Sequence, residues 1–339
     1  MHDELLRHQI EEFANGRDVA ADTAETLFDA LIGSSDQMLL ALTLAAWNEK
    51  GVAEDELFDF ASLMRKRMKR IETGHGATVD IVGTGGSEAK SFNVSTAAAF
   101  VVAGAGVKVA KHGNRAATSR SGSSDVLSVL GIDVDVEPSI AEAHLNEHNI
   151  CFMFAPRFHS LSPTLAAARR SVGRPTIFNN LGPLCNPASA PHHVIGVWEY
   201  MLVEKTANVL TRLGSGRSWV VNGQGGLDEI ALDGTTNMAE INDGSVSRFD
   251  ISASDFGVRP SGEGLPSNCT ASESAATIRA VLSNELKQVD TEKLVLINAA
   301  AAIYVAGKTS NLPDAYNIAS ESVRSGSALA KLKQLSGGQ

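Results

Sequence analysis

Residues that could bind phosphate groups are concentrated between positions 80 and 125. A glycine turn at residues 83–86 is followed by Asn93, Ser95 and Thr96, and then by the run Lys-His-Gly-Asn-Arg at residues 111–115. Glycines let backbone N–H groups approach a phosphate closely, and free N–H groups at a helix start favour an anion. Together with the positive charge of Lys111, this pattern indicates a phosphate-binding region.

A serine-rich loop closes this region. Ser119, Ser121, Ser123 and Ser124 stand before a second predicted helix that starts near Asp125. Each hydroxyl by itself could simply cap a helix, and we expect Asn93 or Ser95 to cap the helix predicted at 96–102. Two hydroxyl-rich helix starts with Lys111 between them suit a ligand that carries phosphates at both ends.

Two common phosphate-binding motifs do not match the glycine turn. A dinucleotide fingerprint would need glycine at position 88, which is Glu88. A Walker A loop ending at Lys90 would need glycines where Thr84 and Ala89 stand. Taken alone, the glycine sequence is explained equally well as a simple tight turn or as a phosphate-binding turn. The interpretation therefore depends on the residues that follow it.

An adjacent carboxylate pair, Asp228 and Glu229, follows a predicted strand at 218–221. In a loop both side chains can reach one ion, and Mg²⁺ bound to a pyrophosphate needs few protein carboxylates. An isolated Asp-Glu pair is most often only solvated. The pair is therefore a candidate metal site only in combination with the phosphate-binding region.

Other chemistries have little support. Residues 144–148 match the H-x-x-E-H zinc pattern, but the pattern names no third ligand and favours a solvated helix face. Cys151, Cys185 and Cys269 are too far apart for a C-x-x-C site or a disulfide framework. His112 and His159, taken singly, would be interpreted as core histidines.

Composition restricts the class of protein. The 339 residues carry a net charge of -10, which argues against sequence-independent binding to nucleic acid. The N-terminus mixes acids with apolar residues and does not resemble a signal peptide, and we find no span that could cross a membrane. We therefore expect a cytoplasmic protein without a nucleic-acid or membrane partner.

The hydrophobic pattern changes near residue 72. Helical periodicity extends from the start to about residue 71, whereas short apolar runs at 78–82, 107–110, 150–154, 193–197 and 218–221 predict strands separated by helices. This alternation predicts an α/β fold in which helices flank a mostly parallel sheet, with sites at the carboxyl ends of the strands. Helices at 292–307 and 312–332 are expected to cover the sheet.

The motifs together are similar to those of the anthranilate phosphoribosyltransferases. The resemblance rests on GTGGSEAKSFNVST, KHGNRAATSRSGSSDVL, RFHS, TIFNNLGPLCNP and GGLDEI in this order, and it covers nearly the whole chain. It implies transfer of the phosphoribosyl group of phosphoribosyl pyrophosphate (PRPP) to the amine of anthranilate, with Mg²⁺ as cofactor. It also implies a small helical domain (1–72, with a returning segment at about 163–190), a large α/β domain (73–162 and 191–339) and a homodimer through the helical domain. The sequence at 73–77 itself predicts a flexible connection, whose closing would exclude water from the site.

The resemblance also assigns roles to individual residues. The PRPP residues would be Gly83, Gly85, Gly86, Ser87, Asn93, Ser95, Thr96, Lys111 and Ser123. The anthranilate residues would be Gly83, His112, Asn114, His159, Arg169 and Pro183. The metal ligands would be Ser95, Asp228 and Glu229, and the catalytic groups would be Lys111, Asp228 and Glu229.

Two positions depart from the family pattern. The family usually has an acidic residue where this chain has Ser87, so that the nearest carboxylate is Glu88. The family's arginine before IFN is displaced to Arg174, and Pro175 stands in its place.

Two other hypotheses for the function are a non-catalytic relative that binds nucleic acid and an enzyme similar to pyrimidine nucleoside phosphorylases.

Overall fold

The computed structural model describes residues 2–337, apart from residues 75, 88, 90, 117–119, 287 and 288. The first part of the chain is helical, as predicted, and its apolar stripes are buried. Leu27 and Leu31 face inward on the second helix, and Leu57 and Phe60 do so on the fourth. The bounds are α1 (His2–Ala14), α2 (Ala21–Gly33), α3 (Gln37–Lys50) and α4 (Glu54–Arg67).

In the described part of the chain, seven strands form one sheet, and the α/β fold with a mostly parallel sheet is confirmed. The strands are β1 (Thr78–Gly83), β2 (Lys108–Gly113), β3 (Ile150–Phe154), β4 (His192–Gly196), β5 (Ser218–Gly223), β6 (Thr236–Asn242) and β7 (Ser245–Ile251). Their order is β3-β2-β1-β4-β5-β6-β7, and the ladders among β1 to β5 are parallel. The five predicted strands are all present.

The antiparallel hairpin of β6 and β7 was not predicted from the sequence. Most of β7 is exposed, so its hydrophobic pattern is weak. The turn between the strands is Asp243-Gly244, with φ values of 48° and 75°. An Asp-Gly pair with positive φ at both positions is typical of a two-residue hairpin turn, and this was the signal available in the sequence.

Helices cover both faces of the sheet. Side chains that alternate along the strands pack on opposite faces, since Val194 and Trp219 belong to one hydrophobic cluster whereas Ile195 and Val220 belong to a second. The first cluster includes α5 (Val94–Gly104) and α13 (Asp290–Val305), and the second includes α1 to α4 and α11 (Met201–Arg212). The remaining helices are α6 (Ser123–Val129), α7 (Pro138–His148), α8 (Ala155–Phe158), α9 (Pro163–Val172), α10 (Ile177–Leu184), α12 (Ala271–Leu282), α14 (Leu312–Arg324) and α15 (Ser327–Leu335), with a 3-10 turn at Ala253–Phe256.

The strand order reverses direction between β1 and β4. These two strands are parallel neighbours, and their last residues, Gly83 and Gly196, are register partners. In open α/β sheets a ligand site forms at such a switch point, outside the carboxyl ends of the strands. The glycine turn lies at this point. None of the helices in the described ranges combines the length and the apolar character needed to cross a membrane.

Candidate active site

The glycine turn leaves the end of β1 and is fixed to the neighbouring strand. The N–H and the hydroxyl of Thr84 both donate to the carbonyl oxygen of Gly196, at 2.9 and 3.1 Å. Gly85 and Gly86 then have φ values of 67° and 88°. Side chains rarely adopt such values, so glycine suits both positions. The turn is thereby held at the switch point of the sheet.

Asp228 enters the space that the strand-terminal glycines leave open. Its Oδ2 accepts a hydrogen bond from the N–H of Gly85 at 2.9 Å. A Cβ atom on Gly83 would lie 2.4 Å from Oδ2 of Asp228, and one on Gly196 would lie 1.7 Å from the Asp228 carbonyl oxygen. The two glycines are therefore required for the position of this carboxylate.

The Asp228 and Glu229 pair is not a solvated surface pair. The two residues are only 4% and 7% exposed. Oδ1 of Asp228 is buried and has no hydrogen-bond partner among the described residues. Because a buried carboxylate oxygen without a donor is costly, this atom is suited to a cation.

Lys111 lies buried between β1 and the start of α5. Its ammonium group donates to the carbonyl oxygen of Ile81 at 2.5 Å and to the hydroxyl of Ser95 at 3.2 Å. Ser95 belongs to the first turn of α5, and Thr96, which follows it, has a buried hydroxyl without a partner among the described residues. The structure thus places a positive charge and hydroxyl groups at one helix start.

The prediction that Asn93 or Ser95 caps α5 is correct for the position of Asn93 but wrong for the capping hydrogen bond. Asn93 occupies the N-cap position, but its side chain makes no capping bond and Ser95 lies inside the helix. Oδ1 of Asn93 instead accepts a hydrogen bond from the hydroxyl of Ser121 at 2.9 Å. A long-range partner competes here with the local cap, and it ties the serine loop to the start of α5.

The second helix start, α6, begins at Ser123, two residues before Asp125. The N–H of Gly122 donates to Asp125 Oδ2 at 3.0 Å, which caps the helix. The hydroxyl of Ser123 lies 3.4 Å from the carbonyl oxygen of Asn114 and donates to it. The loop after β2 is thereby fastened to α6. Ser119, which the sequence placed in the same loop, lies outside the described residues.

His112 and His159 form an uncharged wall. Their ring centroids are 5.0 Å apart, and Nδ1 of His112 lies 3.0 Å from the carbonyl oxygen of Gly182, next to Pro183. Burial lowers the pKa of His112 to about 3 and that of His159 to about 4. Both imidazoles are therefore neutral at pH 7, and neither adds charge to this part of the site.

Arg169 lies on α9 and stacks on an aromatic ring. Its guanidinium carbon is 5.2 Å from the centroid of Phe178, and its Nε is buried without a partner among the described residues. Burial, followed by the nearby charge of Arg170, lowers the pKa of Arg169 to about 10. A buried guanidinium that is short of acceptors is suited to a carboxylate ligand.

The two departures from the family pattern meet near the glycine turn. Ser87 accepts a bond from the N–H of Ala89 at 3.2 Å, and Glu88 lies outside the described residues. Arg174 forms an ion pair with Glu49 of α3, so it points toward the helical part. A Cβ on Gly86 would lie only 2.5 Å from Cγ of Pro175, which packs over the turn.

The contacts join the predicted residues in groups rather than in one cluster. Gly83 and Gly85 contact Asp228, whereas Ser95 contacts Lys111. Within the described ranges, no three His, Cys, Asp or Glu side chains are arranged to hold a metal ion, and this includes residues 144–148. The three cysteines are free thiols.

Two buried polar residues near the site were given no role by the sequence. Asp80 lies within β1 and is bonded to Asn186, whose amide nitrogen is 2.7 Å from the Asp80 carboxylate. A charged residue inside the apolar run Thr-Val-Asp-Ile-Val at 78–82 was the available signal. Its partner could not be inferred, because Asn186 is 106 positions away in the sequence.

Comparisons with known proteins place this chain in a family. The family model described as "Glycosyl transferase family, a/b domain" matches residues 75–329. The anthranilate phosphoribosyltransferase of Pelotomaculum thermopropionicum is 40% identical over 332 residues, which are 98% of this chain and 96% of that protein.

Two solved structures agree over nearly the whole chain. Anthranilate phosphoribosyltransferase from Thermus thermophilus superposes with a TM-score of 0.87 at 33% identity, covering 97% of this chain and 98% of that one. The enzyme from Saccharomyces cerevisiae in complex with PRPP and Mg also has a TM-score of 0.87, at 25% identity, covering 99% and 98%. The chain therefore belongs to the anthranilate phosphoribosyltransferase family.

Proposed function

We propose that this protein transfers the phosphoribosyl group of PRPP to the amine of anthranilate, which forms N-(5-phosphoribosyl)anthranilate and releases pyrophosphate in tryptophan biosynthesis. The observation that carries the proposal is the buried Asp228 carboxylate, bonded to the glycine turn at the sheet's switch point. It lies in a chain that matches enzymes of this name along nearly its full length.

PRPP would lie across the glycine turn and the two helix starts. Gly83, Gly85, Gly86 and Ser87 would face its pyrophosphate with backbone N–H groups and a hydroxyl. Lys111, held against the start of α5, would supply the positive charge there. The remaining PRPP residues would be Asn93, Ser95, Thr96 and Ser123.

Mg²⁺ would be held by Asp228, Glu229 and Ser95. The buried Oδ1 of Asp228 supports this assignment, because it has no hydrogen-bond partner in the described part of the chain. When bound, the ion neutralises charge on the pyrophosphate as it leaves. A relative that is 25% identical binds PRPP together with Mg, which agrees with the use of this cofactor.

Anthranilate would enter on the side of α9 and α10. His112 and His159, both uncharged, would line its path together with Gly83, Asn114 and Pro183. Arg169 would bind the anthranilate carboxylate, for which a planar guanidinium offers two parallel donors. This arrangement would leave the neutral amine free to face the ribose.

The chemistry requires little proton transfer by the protein. The bond from the anomeric carbon to the pyrophosphate oxygen breaks, the bond to the amine nitrogen forms, and the nitrogen then gives its proton to water or to the released pyrophosphate. Positive charge develops on the ribose and negative charge on the pyrophosphate, so catalysis depends on stabilising the leaving group. Lys111, Asp228 and Glu229 would serve this purpose, the carboxylates by holding the ion.

The organisation of the chain supports further parts of the proposal. Residues 1–72 with 163–190 would form the helical domain, since α9 packs on α3 and α10 on α4. The rest would form the α/β domain. A homodimer would form through the helical domain, where Met38 and Leu42 of α3 are 74% and 54% exposed. The protein would act in the cytoplasm.

Loss of anthranilate fluorescence tests the function directly. The purified protein is mixed with PRPP, Mg²⁺ and anthranilate, and we expect turnover that stops when the metal is chelated. A matched reaction with a pyrimidine nucleoside and phosphate should give no product. Folded protein that shows no turnover of PRPP with anthranilate would refute the proposed function.

A further inference from the structure

The backbone pairing between β1 and β2 ends before these strands reach the site. Their parallel ladder ends at the pair Val79↔Val109, and the described residues beyond it form no further pair between these strands. By contrast, β1 stays paired with β4 as far as Gly83, and β2 stays paired with β3 as far as Gly113. The hydrogen-bonded ladder therefore has a gap between β1 and β2 at the edge of the sheet that carries the candidate site.

Side chains take over the backbone groups that this gap leaves unpaired. Oδ1 of Asp80 accepts the N–H of His112 at 3.3 Å. The amide nitrogen of Asn186 donates to Oδ2 of Asp80 at 2.7 Å and to the carbonyl oxygen of Ala110 at 2.8 Å. Asp80 and Asn186 are 0% and 1% exposed. Buried backbone groups must be paired, so these two side chains replace the backbone hydrogen bonds that are missing beyond the end of the ladder.

The same gap receives the ammonium group of Lys111. It donates to the carbonyl oxygen of Ile81, another backbone group of β1 beyond the end of the ladder. Burial raises the pKa of Asp80 to about 6, while the positive charge of Lys111 and the bond from Asn186 act to lower it. Asp80 is therefore mainly ionised at pH 7, and its charge is balanced across the gap.

Lys111 and His112 are neighbours on β2, and adjacent side chains of a strand point to opposite faces of the sheet. Lys111 reaches Ser95 of α5 on one side, and His112 reaches Gly182 of α10 on the other. One displacement of this strand end would therefore move both. The spacing between β1 and β2 thus controls a residue of each proposed substrate half.

We propose that Asp80 and Asn186 are positioning residues that bridge β1 and β2 where the backbone pairing ends and so set the places of Lys111 and His112. This inference rests on the proposed function, because the two positioned residues belong to the proposed PRPP and anthranilate sites. The pair would act through both of them without touching either substrate.

The first test compares Asp80→Asn with Thr78→Val. Thr78 is also buried in β1, but it lies in the part of the strand that is paired with β2, so its substitution is a matched control. Asp80→Asn should lower kcat/KM for both PRPP and anthranilate by more than about tenfold, and Thr78→Val should stay within about twofold of the wild type. Unchanged kinetic constants in folded Asp80→Asn would overturn the proposal.

A double-mutant cycle separates positioning from a general loss of stability. PRPP binding in the presence of Mg²⁺ is measured by calorimetry for wild type, Asp80→Asn, Lys111→Met and the double variant. If Asp80 acts through Lys111, Asp80→Asn should weaken PRPP binding about 5- to 20-fold when Lys111 is present. In a protein that already carries Lys111→Met, the same substitution should weaken binding less than about threefold. Equal effects in both backgrounds would contradict the proposal.

Asn186→Ser removes the amide that donates to Asp80. This variant replaces Asp80→Asn in the cycle if Asp80→Asn does not fold. The wild-type fluorescence assay distinguishes the two possible failures. An inactive but folded wild type would refute the proposed function, whereas an active wild type with additive effects in the cycle would refute only the positioning role.

Discussion

Arg169→Met should make the protein more stable and less able to use anthranilate. Burial lowers the pKa of Arg169 from the ordinary range of a guanidinium to about 10, so the folded state disfavours the charged form. At pH 7 the side chain is protonated in both the folded and the unfolded state, and the whole cost is therefore present. At 1.36 kcal/mol per pKa unit it amounts to ~3 kcal/mol.

Part of this cost is offset in the folded protein. The guanidinium carbon is 5.2 Å from the centroid of Phe178, and a partly desolvated cation–π contact contributes about 1–2 kcal/mol. Methionine has a similar length and no charge to bury. The free energy of unfolding of Arg169→Met should therefore rise by about 1–2 kcal/mol, which urea denaturation at pH 7 would detect.

The catalytic effect should be confined to one substrate. A charge-assisted hydrogen bond contributes about 1.5–3 kcal/mol, so KM for anthranilate should rise about 10- to 150-fold while KM for PRPP stays within about twofold. Arg169→Lys is the control, because it keeps the charge but loses the planar guanidinium. Its KM for anthranilate should lie between those of the wild type and Arg169→Met. Lower stability of Arg169→Met, or equal losses for both substrates, would refute this reasoning.

Three further predictions concern the turn, the metal and pH. Gly86→Ala should lower the free energy of unfolding by about 1–3 kcal/mol in urea denaturation, because φ is 88° and the new Cβ would meet Pro175. Adding Pro175→Ala should restore only part of the lost stability, because it removes the contact but not the unfavourable φ. Asp228→Asn should weaken PRPP binding at least about tenfold in calorimetry with Mg²⁺, and the difference from wild type should disappear in EDTA. The pKa of His159 is lowered to about 4 in the folded protein, so as the pH falls below about 6.5 this imidazole is protonated in the unfolded chain but not in the folded one. The unfolded state is thereby favoured. When the pH is lowered from 7.5 to 5.0, the free energy of unfolding should therefore fall by about 2 kcal/mol less in His159→Gln than in the wild type. An equal fall in both proteins would contradict the burial of a neutral imidazole.

The pattern of the sequence predicted most of the elements that hold the site. Apolar runs between helical segments identified the parallel strands, because strands buried on both faces are nearly continuous in hydrophobicity. The hairpin of β6 and β7 escaped detection since its outer strand is mostly exposed. Asn93 is the N-cap residue of α5, but its capping hydrogen bond was predicted wrongly because local propensity could not anticipate Ser121 as the partner of its side chain.

The sequence by itself determined the fold class, the family and the phosphate-binding stretch, because these depend on periodicity and on residue types at short spacing. The tertiary structure alone decided how distant residues meet. It placed Asp228 against Gly83 and Gly196, directed Arg174 toward Glu49, and inserted Asp80 and Asn186 between β1 and β2. All of these pairs except Asp228 and Gly196 are more than 100 positions apart in the sequence, and their geometry follows from strand order and packing, which no local pattern in the chain encodes.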